Sequence, residues 1–85
     1  MVDIPSIILK AKQLKTDEHA LREILKEYIR TASKTYGLKT ISKITELQYS
    51  NMPKDLAENS KRLGIERLAE AAERVYLSIQ DGILK

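Results

Sequence analysis

Apolar residues recur at intervals of three and four along most of this chain. Such spacing places side chains on one side of an α-helix, whereas a half-buried strand needs strict alternation. The stripe of the first predicted helix consists of Ile4, Ile7, Ile8, Ala11 and Leu14, and that of the second consists of Leu21, Ile24, Leu25, Tyr28, Ile29 and Ala32. The periodicity therefore predicts a fold built from amphipathic helices.

The few residues that interrupt these stripes stand where helix ends are expected. Asp3 and Pro5 suit the start of the first helix, because proline at the first helical position loses no hydrogen bond. Thr16 is the predicted N-cap of the second helix, since its hydroxyl can accept a backbone N–H. That helix should end near Tyr36, because Gly37 can adopt the left-handed conformation that closes a helix.

The next segment is predicted to be a third helix over about residues 40–50. Its apolar residues repeat every three positions and are Leu38, Ile41, Ile44 and Leu47. A short strand is the competing interpretation, since the segment is rich in β-branched residues. Strand alternation would put Ile41 and Leu47 on one face and Ile44 on the other, with no second strand to pair. We therefore favour the helix.

Pro53 marks the predicted start of a further helix, in which Leu56 and Leu63 face inward. Gly64 either ends this helix or lies inside a longer one that reaches Ile79, and propensity does not decide between the two.

The last predicted helix has the apolar stripe Ile65, Leu68, Ala72, Val75, Tyr76 and Ile79, and ends near Asp81 and Gly82. Ala69 and Ala71 should allow a neighbouring helix to approach closely. On its outer side and just before it, three ion pairs are predicted at i,i+4 spacing: Glu58 with Arg62, Arg62 with Glu66, and Glu70 with Arg74.

These elements predict an all-α fold, a small antiparallel bundle of four to five amphipathic helices that occupies residues 1–85 as one domain. A chain of 85 residues has only a marginal core. No cysteine is present to form a disulfide, so dimerisation is the expected additional source of stability.

The sequence offers little chemistry for catalysis, so we expect no enzyme, no cofactor, no bound metal and no small-molecule substrate. It has no cysteine and a single histidine, and its three glycines are too far apart for a phosphate-binding loop. His19 is interpreted as a surface residue, and the glutamates Glu66, Glu70 and Glu73 as a solvated acidic stripe.

The four tyrosines are divided between core and surface. Tyr28 and Tyr76 fall on apolar stripes and are assigned to the core, with their hydroxyls at its rim. Tyr36 and Tyr49 lie near helix ends beside lysines, and they are the better candidates for an exposed contact surface.

Positive charge without any acid occurs in residues 10–15, which contain Lys10, Lys12 and Lys15, and in the middle of the chain, over residues 30–43. The cations there are Arg30, Lys34, Lys39 and Lys43, which we call the basic surface and treat as a possible contact for a polyanion. A standard helix-turn-helix is not indicated, because Glu70 and Glu73 occupy the positions after Gly64 that should be apolar.

The first residues show no basic region followed by a long apolar run, and no stretch approaches 18 apolar residues. We therefore expect a cytoplasmic protein with no membrane span. The leading hypothesis for its function is a non-catalytic protein–protein interaction or regulatory module that presents an amphipathic helical face, as a homodimer or as the partner of another protein. The alternative hypothesis is a helical protein that binds nucleic acid through the basic surface.

Overall fold

The computed structural model describes residues 4–13 and 18–83. These residues form five α-helices and no strand: α1 (Ile4–Gln13), α2 (Glu18–Tyr36), α3 (Leu38–Thr45), α4 (Met52–Asp55) and α5 (Ile65–Gln80). A short 3₁₀ turn, Tyr49–Asn51, precedes α4. The predicted all-α bundle is thus confirmed. The predictions made for Asp3, Leu14 and Thr16 lie outside the described residues.

Helix α5 is central to the bundle and packs against α1, α2 and α3. Its inner side is made largely of small residues, and Ala69, Ala71 and Ala72 are fully buried. Alanine leaves the helix backbone accessible, so neighbouring helices can approach it closely. Leu25 and Ile29 of α2 are fully buried in the same core, and each such side chain contributes about 1.5–3 kcal/mol by leaving water. The predicted close approach on α5 is confirmed, and so is its stripe apart from Tyr76.

Two glycines end helices as the sequence predicted. Gly37 separates α2 from α3 as predicted, but with φ 98° and ψ 138° it lies outside the αL conformation expected of it. Gly82 has φ 75°, and its N–H donates to the carbonyl of Ile79, while the N–H of Ile83 donates to the carbonyl of Ser78. This pair of hydrogen bonds is the Schellman arrangement, which satisfies carbonyls at the end of α5.

The prediction of a third helix over residues 40–50 is wrong at its C-terminal end, because α3 stops at Thr45. Glu46 has φ 61°, which is left-handed and cannot continue the helix. The Thr45 hydroxyl donates to the carbonyl of Ile41 (2.7 Å) and accepts from the N–H of Leu47 (3.3 Å). This side chain therefore provides hydrogen bonds to backbone groups that would otherwise bond to the backbone of a continuing helix. Leu47 still reaches the core, but from outside the helix.

The helix predicted from Pro53 is also wrong in its length, since α4 has a single turn and residues 56–64, here called the 56–64 segment, are irregular. Gly64 has φ −69° and ψ 160° and is the N-cap of α5, so it neither ends the helix predicted from Pro53 nor lies inside a longer one. Leu56 is buried and Leu63 half-buried, in agreement with the prediction that both face inward.

Because the 56–64 segment is not helical, the i,i+4 geometry expected around Arg62 does not exist. The predicted pairs of Arg62 with Glu58 and Glu66 are therefore wrong, and Arg62 Nε instead contacts Asp55 Oδ1 at 2.8 Å. The pair between Glu70 and Arg74 is confirmed, at 3.1 Å.

Candidate interaction surfaces

The basic surface is split between two helices. Arg30 and Lys34 lie one turn apart on α2, and Lys39 and Lys43 lie one turn apart on α3. The three lysines are exposed, whereas Arg30 is half-buried and its guanidinium donates to the carbonyl of Leu56. Arg30 therefore also holds the fold together, and the lysines supply the exposed positive charge.

Tyr49 adds an aromatic ring next to these cations. Its side chain is 46% exposed, and the ammonium of Lys39 stands 5.9 Å from the ring centroid, a cation–π distance. The predicted exposure of Tyr49 is confirmed. Tyr36 differs from its prediction, since it is half-buried and packs against the hydrophobic core.

Beside the basic surface lies a small depression between α2, α3 and α4, which we call the basic cleft. Its volume is about 210 Å³, and its lining residues are Arg30, Ser33, Lys34, Leu38, Met52, Pro53 and Leu56. The floor is aliphatic, because the last four of these residues are apolar. Two cations stand on the rim, so the cleft combines an apolar floor with a positive edge.

A second depression, the α1–α5 groove, runs between the first and last helices. It has a volume of about 340 Å³ and is lined by Pro5, Ile8, Leu9, Lys12, Glu73, Tyr76 and Leu77. Leu9 is 56% exposed and Leu77 is 51% exposed. Lys12 Nζ lies 3.0 Å from Glu73 Oε1 across the groove. The groove is therefore lined by two exposed leucines and crossed by one ion pair, between Lys12 and Glu73.

The tyrosines predicted to be in the core have different positions. Tyr28 packs on the core, as predicted, and burial raises the pKa of its phenol above the ordinary value, with a further rise from the phenols of Tyr76 and Tyr36. Tyr76 instead is half-buried in the wall of the α1–α5 groove. This phenol is thus a part of a surface site, which its place on the α5 stripe did not reveal.

Three basic residues of α2 bind the carbonyl groups of the 56–64 segment, and we call them the α2 clamp. Arg22 donates to the carbonyl of Leu63, Lys26 to those of Ala57 (3.0 Å) and Ser60 (2.9 Å), and Arg30 to that of Leu56. The segment runs antiparallel to α2, because its later residues meet the earlier turns of the helix. Arg22 and Lys26 were not among the predicted functional residues, although their i,i+4,i+8 spacing with Arg30 was a visible signal.

Lys26 is the centre of this clamp and has no exposed surface. Its ammonium also lies 2.5 Å from Glu23 Oε2, and Glu23 Oε1 accepts from the backbone N–H of Asn59 at 3.2 Å. The hydrogen bond with Lys26, opposed in part by burial and supported by the Asn59 N–H, lowers the pKa of Glu23 below 4.5. A buried cation is thus neutralised by one carboxylate and solvated by two carbonyls.

Two of the three glutamates of α5 are ion-paired with neighbours. Glu73 contacts Lys12, and Glu70 contacts Arg74, which is also 2.5 Å from Glu46. The hydrogen bond with Glu46 raises the pKa of Arg74. His19 is exposed on α2, as predicted. The acidic stripe is therefore ion-paired at Glu70 and Glu73, whereas Glu66 is exposed.

Within residues 4–13 and 18–83, no group of three or more His, Cys, Asp or Glu side chains is placed to hold a metal ion. No described helix combines the length and the apolar character needed to cross a bilayer. Comparisons of the chain with protein-family models, with curated proteins and with solved structures find no match.

Proposed function

We propose that this protein is a non-catalytic interaction module that self-associates through the α1–α5 groove. The observation that carries the proposal is the exposure of Leu9 and Leu77, each more than half accessible beside an apolar depression. A leucine in water forgoes the free energy that burial would give, about 1.5–3 kcal/mol for a complete side chain. Two such residues next to one groove are typical of a surface that another protein covers.

A second copy of the chain is the partner that the groove fits best. In a two-fold dimer the same patch meets itself, so it must contain both the projecting and the receiving features. The groove has both, since Leu9 and Leu77 project beside the depression that Ile8 and Tyr76 line. A small chain with a marginal core also gains most from such an additional apolar contact.

The charges of the groove support the same partner. Lys12 and Glu73 lie on opposite sides of it, and both remain more than two-fifths exposed while paired. Around a two-fold axis, Lys12 of one copy can approach Glu73 of the other, so the rim is complementary to itself. Two copies would therefore meet without placing like charges together.

The test is the mass of the protein in solution over a wide concentration range, measured by sedimentation. We expect the wild type to move from monomer towards dimer as its concentration rises, and Leu77→Lys to remain monomeric. Ile83→Lys is the matched control, because Ile83 is 69% exposed but does not line the groove. A wild type that stays monomeric at high micromolar concentration would overturn the proposal.

A charge-reversal pair sharpens this experiment. Lys12→Glu alone should weaken the dimer, because it places two carboxylates together at the rim. Combining Lys12→Glu with Glu73→Lys should restore it. Failure of the double variant to recover the dimer would mean that these charges do not belong to the interface.

A second candidate function, binding of nucleic acid, is favoured by the exposure of Lys34, Lys39 and Lys43 and by the ring of Tyr49 beside Lys39. Phosphate contacts by lysine make affinity fall as salt rises, by a slope of about 0.9 for each contact on duplex DNA. The measurement is binding of duplex DNA and of RNA across salt. Lys39→Gln should reduce the salt slope by about one, and an absence of binding at low salt would eliminate this function.

A further inference from the structure

We propose that the basic cleft binds an acidic amphipathic segment of a partner protein, with an aliphatic side chain of that segment in the cleft and its carboxylates on the rim. This goes beyond self-association, because the cleft and the α1–α5 groove have no lining residue in common. The first support is the chemistry of the cleft. Its floor of Leu38, Met52, Pro53 and Leu56 is apolar, whereas Arg30 and Lys34 stand at its edge.

The size of the cleft favours a side chain over a whole small molecule. Its volume of about 210 Å³ is below the range of about 300–1,000 Å³ typical of small-molecule pockets. Depressions of this kind instead receive single anchor residues at protein interfaces, where one apolar side chain is buried and polar contacts surround it. A helix that docks on such a surface needs apolar residues at i,i+3 and i+4 to follow the site.

The charge around the cleft selects an acidic partner. No Asp or Glu occurs between residues 28 and 45, which include the stretch of α2 and α3 that borders the cleft. On the α4 side, the nearest carboxylate in sequence is Asp55, which is buried and held by Arg62 at 2.8 Å. Lys54 of α4 is exposed next to the lining residue Pro53 and adds a further positive charge. A segment with aspartates or glutamates beside its anchor therefore meets positive charge from Arg30, Lys34 and Lys54 at the rim.

A protein segment fits the cleft better than a nucleic acid does. Sequence-tolerant binding of single strands uses aromatic faces on which bases stack, and the floor of the cleft is aliphatic. The exposed ring of Tyr49 is not among the lining residues. The apolar floor therefore favours a partner that has a hydrophobic anchor residue, and a phosphate backbone has none.

The probe is a fluorescent peptide in which leucines at helical spacing are interspersed with glutamates. Two matched peptides replace either every leucine by alanine or every glutamate by lysine, and a DNA duplex and a single-stranded RNA serve as competing ligands. Binding is followed by fluorescence anisotropy, and the contact is located by amide NMR shifts. We expect saturable binding of the first peptide alone, with shifts concentrated at Leu38, Met52 and Leu56.

Lys34→Glu is the variant that tests the rim. Lys34 is exposed, so its replacement should leave the fold intact and weaken peptide binding about tenfold or more. Lys10→Glu is the matched control, because Lys10 is an exposed lysine of α1 outside the cleft, and it should bind the peptide as the wild type does. The monomeric Leu77→Lys variant should also bind normally, which separates this proposal from self-association.

Three results would overturn the proposal. The first is no binding of the leucine–glutamate peptide at high micromolar concentration. The second is binding that survives the loss of the leucines or that shifts residues outside the cleft. The third is preferential binding of DNA or RNA, with displacement of the peptide and a steep negative salt dependence, which would assign this surface to nucleic acid.

Discussion

The ammonium group of Lys26 lies 2.9 Å from the carbonyl oxygen of Ser60, and this contact joins the middle of α2 to a segment without regular structure. Lys26 has no exposed surface, so its charge is balanced entirely by protein groups. Arg22 and Arg30, one turn away on either side, bind carbonyls of the same segment. Helix α2 thus supplies to the 56–64 segment the hydrogen-bond donors that a helical backbone would have supplied.

Replacing Lys26 should therefore destabilise the protein strongly. Lys26→Met keeps much of the apolar stem but leaves the Ala57 and Ser60 carbonyls without their donor and Glu23 without its counter-charge. Loss of one partner of a buried charged network costs about 3–5 kcal/mol. Urea unfolding followed by circular dichroism measures this change. Lys10→Met, at an exposed lysine, is the control and should change stability by no more than about 0.5 kcal/mol.

Glu23 makes the stability depend on acid pH. Its folded-state pKa is lowered, chiefly by the hydrogen bond with Lys26, so the ionised form is favoured by folding. Its contribution is present above the ordinary value of 4.5 and is lost as the pH falls from 4.5 through the folded-state pKa. Wild type should exceed Glu23→Gln in stability at neutral pH, with a difference that shrinks on acidification. A difference that grows as the pH falls would contradict this assignment.

Gly37 and Gly64 provide a matched pair of substitutions with different expected effects on stability. Gly37 has φ 98° and ψ 138°, a conformation that disfavours any residue with a β-carbon, so Gly37→Ala should cost about 1–3 kcal/mol. Gly64 has φ −69° and open space around its α-carbon. Gly64→Ala should therefore be nearly neutral, because the gain of about 0.4–1 kcal/mol through the unfolded state is offset by the poorer N-cap preference of alanine. Thermal unfolding of the two variants compares them directly, and equal effects would be inconsistent with these backbone angles.

Asn59 holds the left-handed conformation inside the 56–64 segment, with φ 64°. Asparagine tolerates this region better than other residues with a β-carbon. Asn59→Ala should lower the free energy of unfolding by about 1–2 kcal/mol, whereas Asn59→Gly should leave it nearly unchanged. Urea denaturation distinguishes the two, and a glycine variant as unstable as the alanine variant would show that the side chain matters more than the backbone angle.

Local information was sufficient for most helices of this protein. The stripe on α5, the end of α2 at Gly37 and the end of α5 near Gly82 follow from periodicity and from the backbone freedom of glycine, which act over a few residues. The same reasoning failed after Thr45 and after Asp55. At both places the apolar spacing continues beyond the end of the helix. The Thr45 hydroxyl takes backbone hydrogen bonds at the first, and the cations of α2 bind the backbone carbonyls at the second.

The sequence by itself determined that this chain is a bundle of amphipathic helices, and it also indicated a cluster of lysines without acids in the middle. Only the tertiary structure decided which of the basic residues are structural and which are exposed. Lys26 and Lys34 are both lysines of α2, yet one is buried against carbonyls and the other stands at the rim of a cleft. The reason is that the environment of a charge depends on groups more than twenty residues away in the chain. Which of these groups come close to a given lysine depends on how the helices pack. It cannot be read from the spacing of residues along one helix.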